Sequence, residues 1–191
     1  MNFPLVLRWL AGTFNREKID YALIGGFGLH AAGVVRSTGD IDFLIPAEAV
    51  PRVKKLMISH GYKLIHESGD ISNYVGTKIE LGRVDFLHAH RQYTCAMLAR
   101  APLKKILDGQ FELKVLKAED LIGLKVQALT NDPRPYHQDM SDIESLIVQS
   151  RAKLDMSLVR EYFALFKLEK LLEDILKRTN HVSSAGKKGN A

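Results

Sequence analysis

The first part of the chain contains short apolar patterns separated by polar and glycine-rich breaks. The apolar run from Ile19 to Ile24 predicts a strand that ends in Gly25 and Gly26, and a short helix is expected over about residues 27–32. An amphipathic first helix is predicted by apolar residues at helical spacing, which are Phe3, Val6, Leu7, Leu10, Ala11 and Phe14.

Residues 40–45 show the two-residue alternation of a strand. Ile41, Phe43 and Ile45 take one face of the predicted strand, whereas Asp40 and Asp42 take the other, together with Leu44. A helix is predicted over about residues 50–60. Gly61 would end it.

The remaining elements predict an α+β fold. Residues 62–87 are β-rich, a helix is expected near 93–99, and residues 112–116 predict another strand. From residue 118 the pattern is helical, over about 118–130, 138–149 and 157–177, with a break near Phe166. We therefore expect an α/β core over residues 1–117, a helical bundle over 118–178 that packs on the core, and a disordered basic tail over 179–191.

The amino-acid composition and charge add little to the predicted fold. The 191 residues carry a formal charge of +5, but residues 177–191 contain four basic residues and no acid, so the rest is nearly neutral. Cys95 is the only cysteine, the first ten residues lack the features of a signal peptide, and no apolar stretch is long enough to span a membrane. A cytoplasmic protein is expected.

Asp40 and Asp42 are the main candidates for chemistry. Their spacing places both side chains on one strand face, with Cβ atoms roughly 6 to 7 Å apart. Two carboxylates this close repel each other unless a cation binds between them, and Mg²⁺ suits such a site. For an isolated Asp-x-Asp, solvated acids on an exposed face are the commoner explanation, so the context decides.

Three further features supply that context. Gly25 and Gly26 end a strand and open a helix, where free backbone N–H groups receive anions, although most Gly-Gly pairs only form turns. Asp85 interrupts the apolar strand RVDFL and needs either a salt bridge or a site. Lys125 projects from the apolar stripe of its helix, so it either snorkels or faces a cleft.

Asp139 and Asp142 lie three residues apart near the start of the next predicted helix. Favourable interaction with the helix dipole explains them adequately. A role in a site is therefore only an alternative at this stage.

Taken together, these ordered segments resemble the DNA polymerase β-like nucleotidyltransferase superfamily, most closely its AbiEii-type toxins and related minimal nucleotidyltransferases. The resemblance runs from about Tyr21 to Val148, and its motifs are GGFGLHAAGVVRSTGDIDFLI, RVDFL, DLIGLKVQAL and QDMSDIESL. It implies a nucleotidyltransferase fold with a mixed, partly antiparallel sheet flanked by helices. It also implies transfer of an NMP from an NTP such as ATP to a hydroxyl of a tRNA end, a protein or a small molecule.

The resemblance also implies roles for individual residues. Asp40, Asp42 and Asp85 would bind two Mg²⁺ ions, for which Mn²⁺ can substitute, and Asp85 would favour deprotonation of the acceptor. Binding of the nucleotide would involve Gly25, Gly26, Arg36, Lys125 and, at the late acidic position of the family, Asp139 or Asp142. A cognate antitoxin is an implied partner.

Two departures from the family pattern matter. Gly26 stands where a serine is usual, which removes one phosphate hydrogen bond, and Gln138-Asp139 replaces a usual Lys-Asp pair after a lengthened loop, NDPRPYHQ. Two alternatives also stay open. One is a non-catalytic nucleotide- or partner-binding module on the same fold, and the other is a dinucleotide-binding fold, because Gly26-x-Gly28 follows a strand and opens a helix.

Overall fold

The structure, a computed structural model, describes residues 1–131 and 136–185 of the chain. Its internal contacts divide the chain into two units. Unit 1 comprises Met1–Ala31 and Val35–Lys117, and unit 2 comprises Ala32–Val34 and the chain from Ala118 onward. Within the described ranges, every helix is too short or too polar to cross a membrane.

Unit 1 contains both helices and strands, whereas the described elements of unit 2 are all helices. The elements of unit 1 are α1 (Phe3–Arg16), β1 (Ala22–Leu23), α2 (Gly25–Ala31), β2 (Asp40–Pro46), a 3-10 helix (Ala47–Ala49), α3 (Val50–Ser59), β3 (Tyr62–Glu67), β4 (Ile71–Gly76), β5 (Arg83–Ala89), α4 (Gln92–Ala99), β6 (Leu103–Ile106) and β7 (Phe111–Lys114). Those of unit 2 are α5 (Ala118–Asn131), α6 (Tyr136–Ser150), α7 (Met156–Leu165) and α8 (Glu169–Ala185).

The main sheet of unit 1 is mixed and has the strand order β1-β2-β5-β4-β3. Only β2 and β5 pair in parallel; β1 pairs antiparallel with β2, and β3, β4 and β5 form an antiparallel run. The predicted α+β class is confirmed. The dinucleotide-binding alternative is wrong, because that fold needs repeated parallel βαβ units, and β1 and β2 run in opposite directions.

One face of this sheet forms the apolar core of unit 1. Ile41, Phe43 and Ile45 are fully buried there, as the alternation predicts, against apolar residues of α1 and α3. Phe43 and Phe86 stack with ring centroids 6.1 Å apart, and Phe14 of α1 meets Phe43 edge to face at 5.7 Å. This packing holds β2 and β5 side by side and leaves their opposite face for Asp40, Asp42 and Asp85.

Several predicted boundaries need correction. The first strand is Ala22–Leu23 rather than residues 19–24, because Ile19 is buried outside the ladder, and α2 already begins at Gly25. Strand β6 was not predicted, since its sequence LKKI carries two lysines and only Ile106 is buried. The first helix of unit 2, α5, begins at Ala118. The predicted break near Phe166 is confirmed, because α7 ends at Leu165 and Lys167 adopts a φ of 58°.

The predicted tail also begins too early. Helix α8 extends to Ala185, and Thr179, the first residue of the predicted tail, is buried, with its hydroxyl donating to the carbonyl of Ile175 at 3.0 Å. Residues 186–191 of that tail, and residues 132–135 of the predicted lengthened loop, lie outside the described residues.

A buried hydrogen bond connects two helices of unit 2. Asp120 of α5 is fully buried, and the Tyr162 hydroxyl of α7 donates to its Oδ1 atom at 2.7 Å. A hydrogen bond to a buried charged group is among the stronger ones in proteins. This contact links α5 to α7.

We predict that Tyr162→Phe lowers the free energy of unfolding by about 1.5–3 kcal/mol, because it removes a hydrogen bond to a buried carboxylate without changing the packed ring. Urea unfolding followed by circular dichroism measures the change. Tyr136→Phe, at an exposed tyrosine, is the matched control and should leave stability within about 0.5 kcal/mol. Equal effects of the two variants would contradict the assignment.

Candidate active site

Asp42 and Asp85 are brought together by the register of the two parallel strands. Asp42 of β2 lies opposite Asp85 of β5, and Asp40 lies two residues before Asp42 on the same strand face. Each of the three half-buried side chains offers a carboxylate oxygen within 4.8 Å of the other two. The three acids predicted from the sequence are therefore neighbours in one cluster.

This cluster is electrostatically unfavourable in the protein alone. Burial raises the pKa of Asp85, and the charge of Asp40 raises it further, although a hydrogen bond with Asn73 and the charge of Arg83 act in the opposite direction. Among the described residues, the buried Oδ1 atom of Asp85 has no hydrogen-bond partner. A buried, unpaired carboxylate oxygen is costly, and such an atom is expected where a ligand completes the site.

Two neighbours of the cluster were not identified from the sequence. Asn73 of β4 lies opposite Asp85, and Arg83 of β5 lies opposite Asp40 with an exposed side chain. Arg83 could have been found, because it is two residues before Asp85 and therefore on the same strand face. No sequence pattern indicated Asn73, since its position depends on the pairing of β4 with β5.

Gly25 allows the Asp42 carboxylate to lie against the backbone at the start of α2. A Cβ atom added to Gly25 would collide with the Oδ2 and Cγ atoms of Asp42, and the φ of Gly25 is +54°, which other residues rarely adopt. The amide of Ile24 also donates to the carbonyl of Asp42 at 2.9 Å. The absence of a side chain at Gly25 therefore makes room for Asp42 itself, in addition to any phosphate at the start of α2.

Gly26 makes a similarly close contact with Thr38, for which the sequence pattern predicted no role. A Cβ atom on Gly26 would lie 2.5 Å from the Thr38 hydroxyl oxygen. That hydroxyl donates to Oδ1 of Asp40, at 2.9 Å. Thr38 thus connects the start of α2 to the first carboxylate of the cluster.

The three carboxylates fit a hard divalent cation such as Mg²⁺. Such ions take oxygen ligands, and Mg²⁺ in particular binds through one or two carboxylates together with waters and phosphate oxygens. The unpaired Oδ1 of Asp85 and the mutual repulsion of the acids are the features that a bound cation would relieve. Asp40, Asp42 and Asp85 are therefore the residues that would hold it.

Lys125, Asp139 and Asp142 form a separate cluster within unit 2. The Nζ atom of Lys125 lies 2.7 Å from Asp139 and 2.8 Å from Asp142. Both acids are buried, so interaction with the helix dipole, which the sequence favoured, does not fully explain them. The ammonium group of Lys125 binds these two acids instead of extending into solvent. Arg36, the remaining predicted residue, is half-buried in the connection between α2 and β2 of unit 1.

The chain matches a family profile over nearly its whole length. Residues 6–183 match a family described as uncharacterised nucleotidyltransferases. No curated protein gives a significant match.

Solved structures show similarity in fold. The antibiotic-resistance factor ANT(2'')-Ia in solution is 18% identical, with a TM-score of 0.60 over 95% of this chain and 99% of that one. A crystal structure of ANT(2'')-Ia with adenylyl-2''-tobramycin is 15% identical, with a TM-score of 0.60 over 86% and 95%. An antigenic nucleotidyltransferase-like protein from Paracoccidioides brasiliensis is 20% identical, with a TM-score of 0.55 over 92% of each chain.

We predict that Gly25→Ala weakens Mn²⁺ binding by more than about tenfold, because the new methyl group displaces the Asp42 carboxylate. Stability should also fall by about 1–3 kcal/mol, owing to the positive φ. Electron paramagnetic resonance of free Mn²⁺ measures the affinity. Gly12→Ala, at an exposed helical glycine with open space around it, is the control and should bind as the wild type does. Wild-type affinity in Gly25→Ala would show that Asp42 is not held in this way.

A second prediction concerns the cluster in unit 2. Lys125→Met should reduce the free energy of unfolding by about 3–5 kcal/mol, because it leaves two buried acids without their shared cation. Adding Asp139→Asn and Asp142→Asn should recover much of that loss. Urea unfolding tests this, with exposed Lys55→Met as control. If Lys125→Met were as mild as the control, the ion pairs would not stabilise the unit.

Proposed function

Since the chain belongs to the family of uncharacterised nucleotidyltransferases, we propose that it transfers a nucleoside monophosphate from a nucleoside triphosphate to a hydroxyl group, in a Mg²⁺-dependent reaction. The cluster of Asp40, Asp42 and Asp85 is the observation that carries this proposal. Three converging carboxylates, one with an unpaired buried oxygen, are expensive to maintain unless a ligand uses them.

The reaction forms one bond and breaks another at the same phosphorus. The acceptor oxygen attacks the α-phosphorus of the triphosphate, the bond from that phosphorus to the oxygen bridging to the β-phosphorus breaks, and pyrophosphate leaves. The acceptor hydroxyl must lose its proton during the attack. Catalysis therefore consists mainly of positioning the two reactants and stabilising charge.

The residues of unit 1 divide these tasks. Asp40 and Asp42 would hold the divalent cation from β2, and Asp85 would complete its ligand set from β5 and take up the acceptor's proton. When bound, Mg²⁺ would lower the pKa of the attacking hydroxyl and neutralise the charge of the leaving group.

The triphosphate would be bound at the start of α2. The first turn of a helix has backbone N–H groups without intrahelical partners, and Gly25 and Gly26 have no side chain of their own to cover them. Arg36 and Arg83 are the basic residues of unit 1 that we assign to the phosphate charge. The nucleotide-binding roles of Lys125, Asp139 and Asp142 stay predictions, because their ion pairs already account for their burial.

Two further parts of the proposal concern acceptor and context. The resemblance to AbiEii-type toxins supports a tRNA end or a protein hydroxyl as acceptor, and with it a cognate antitoxin and a cytoplasmic location. The structural similarity to ANT(2'')-Ia supports including an aminoglycoside among the acceptors tested. A non-catalytic module on the same fold is the weaker candidate, since it has no need for a third carboxylate with an unpaired buried oxygen.

The test incubates the purified protein with each α-labelled NTP, Mg²⁺ and one acceptor at a time, namely tRNA, total protein or an aminoglycoside. We expect label on one acceptor class, and at least about a hundredfold less with Asp42→Asn, since a direct metal ligand should matter more than its supporting residues. Glu112→Gln, which replaces an exposed acid of β7, should transfer normally. Absence of label in every combination, or full activity of Asp42→Asn, would refute the proposal.

A further inference from the structure

Thr38 makes a specific contact with Asp40. Its hydroxyl lies 2.9 Å from Oδ1 of that carboxylate and 3.3 Å from the Asp40 carbonyl oxygen. A threonine hydroxyl has one hydrogen to donate and is restricted by its β-branch, so it can fix the orientation of an acceptor. The carboxylate is therefore held at one oxygen by a neutral donor.

Thr38 also packs closely against Gly26. Its Cβ and hydroxyl oxygen occupy the space that a side chain at Gly26 would need. The contact between Gly26 and Thr38 explains why the residue at position 26 is glycine. It also leaves Thr38 little freedom to move away from Asp40.

Orientation matters here because the three acids repel one another. Asp40 has two like charges close by, because Asp42 and Asp85 each offer a carboxylate oxygen within 4.8 Å of one of its own. In the absence of a restraint, rotation of the Asp40 side chain away from its neighbours would relieve this repulsion. A hydrogen bond to Oδ1 opposes that rotation and leaves Oδ2 available to a cation.

We propose that Thr38 is a positioning residue for divalent-cation binding, which acts by holding Asp40 in the orientation that the cation requires. The proposal rests on the proposed function, because it assumes that Asp40 is a metal ligand. Residues that hold metal ligands by hydrogen bonds typically contribute a factor of about 10 to 100 to metal affinity or activity. This positioning role is sufficient to explain the contacts of Thr38 with Asp40 and Gly26.

Three variants separate the hydroxyl from the rest of the side chain. Thr38→Val keeps the shape and removes the hydroxyl, Thr38→Ser keeps the hydroxyl, and Thr38→Ala removes both. Thr77→Val is the matched control, because the Thr77 hydroxyl also makes a hydrogen bond, 2.7 Å to the carbonyl of Gly61, but has no contact with the three acids. Thermal unfolding in EDTA shows whether each variant is folded.

The measurement is the affinity for Mn²⁺ alone, by electron paramagnetic resonance, with nucleotidyl transfer at varied Mg²⁺ as a second readout. We expect Thr38→Val and Thr38→Ala to bind Mn²⁺ about tenfold or more weakly and to need correspondingly more Mg²⁺ for half-maximal transfer. Thr38→Ser should remain within about threefold of the wild type. Thr77→Val should match the wild type.

The outcomes distinguish this proposal from the proposed function. If the wild-type protein binds Mn²⁺ and transfers label, while Thr38→Val has the same Mn²⁺ affinity, the positioning role is wrong and the function stands. If Thr38→Ser is as impaired as Thr38→Val, the hydroxyl is not the operative group. If the wild type neither binds Mn²⁺ nor transfers label, the proposed function fails and the role of Thr38 fails with it.

Discussion

The repulsion among three carboxylates is the constraint on which the candidate site depends. The parallel pairing of β2 with β5 creates it, because this register sets Asp42 opposite Asp85 with Asp40 beside them. A shift of one residue between the strands would send Asp85 to the apolar face and Phe86 to the polar one. The packing of Phe43 and Phe86 therefore fixes the positions of the acids on the opposite face.

Other features of unit 1 hold the acids in place despite this repulsion. Gly25 gives the Asp42 carboxylate room against the backbone, and Thr38 donates a hydrogen bond to Asp40. Asp85 is stabilised in part by Asn73 and Arg83, yet its pKa is still raised by burial. An active site whose charges are unfavourable until a ligand binds is a common compromise between stability and function.

Sequence patterns predicted the elements that depend on local periodicity and missed those set by distant contacts. The alternation of Ile41 and Phe43 with acids was enough to predict β2 and its two faces. The same reasoning could not give the parallel register with β5, or the hydroxyl of Thr38, which lies in an irregular connection. It also missed the buried ion pairs of Lys125, since burial of its two acids follows from how α5 packs on α6.

Thermal unfolding of the wild type and Asp85→Asn, in EDTA and in millimolar Mg²⁺, tests most directly whether the acids repel one another until a divalent cation binds. Because the raised pKa of Asp85 means that its charge is disfavoured in the folded state, we expect Asp85→Asn to be the more stable protein in EDTA at neutral pH. Mg²⁺ should then raise the unfolding temperature of the wild type and change that of Asp85→Asn much less. If Asp85→Asn were less stable than the wild type in EDTA, and if Mg²⁺ raised the unfolding temperature of both proteins equally, repulsion relieved by a cation would be contradicted.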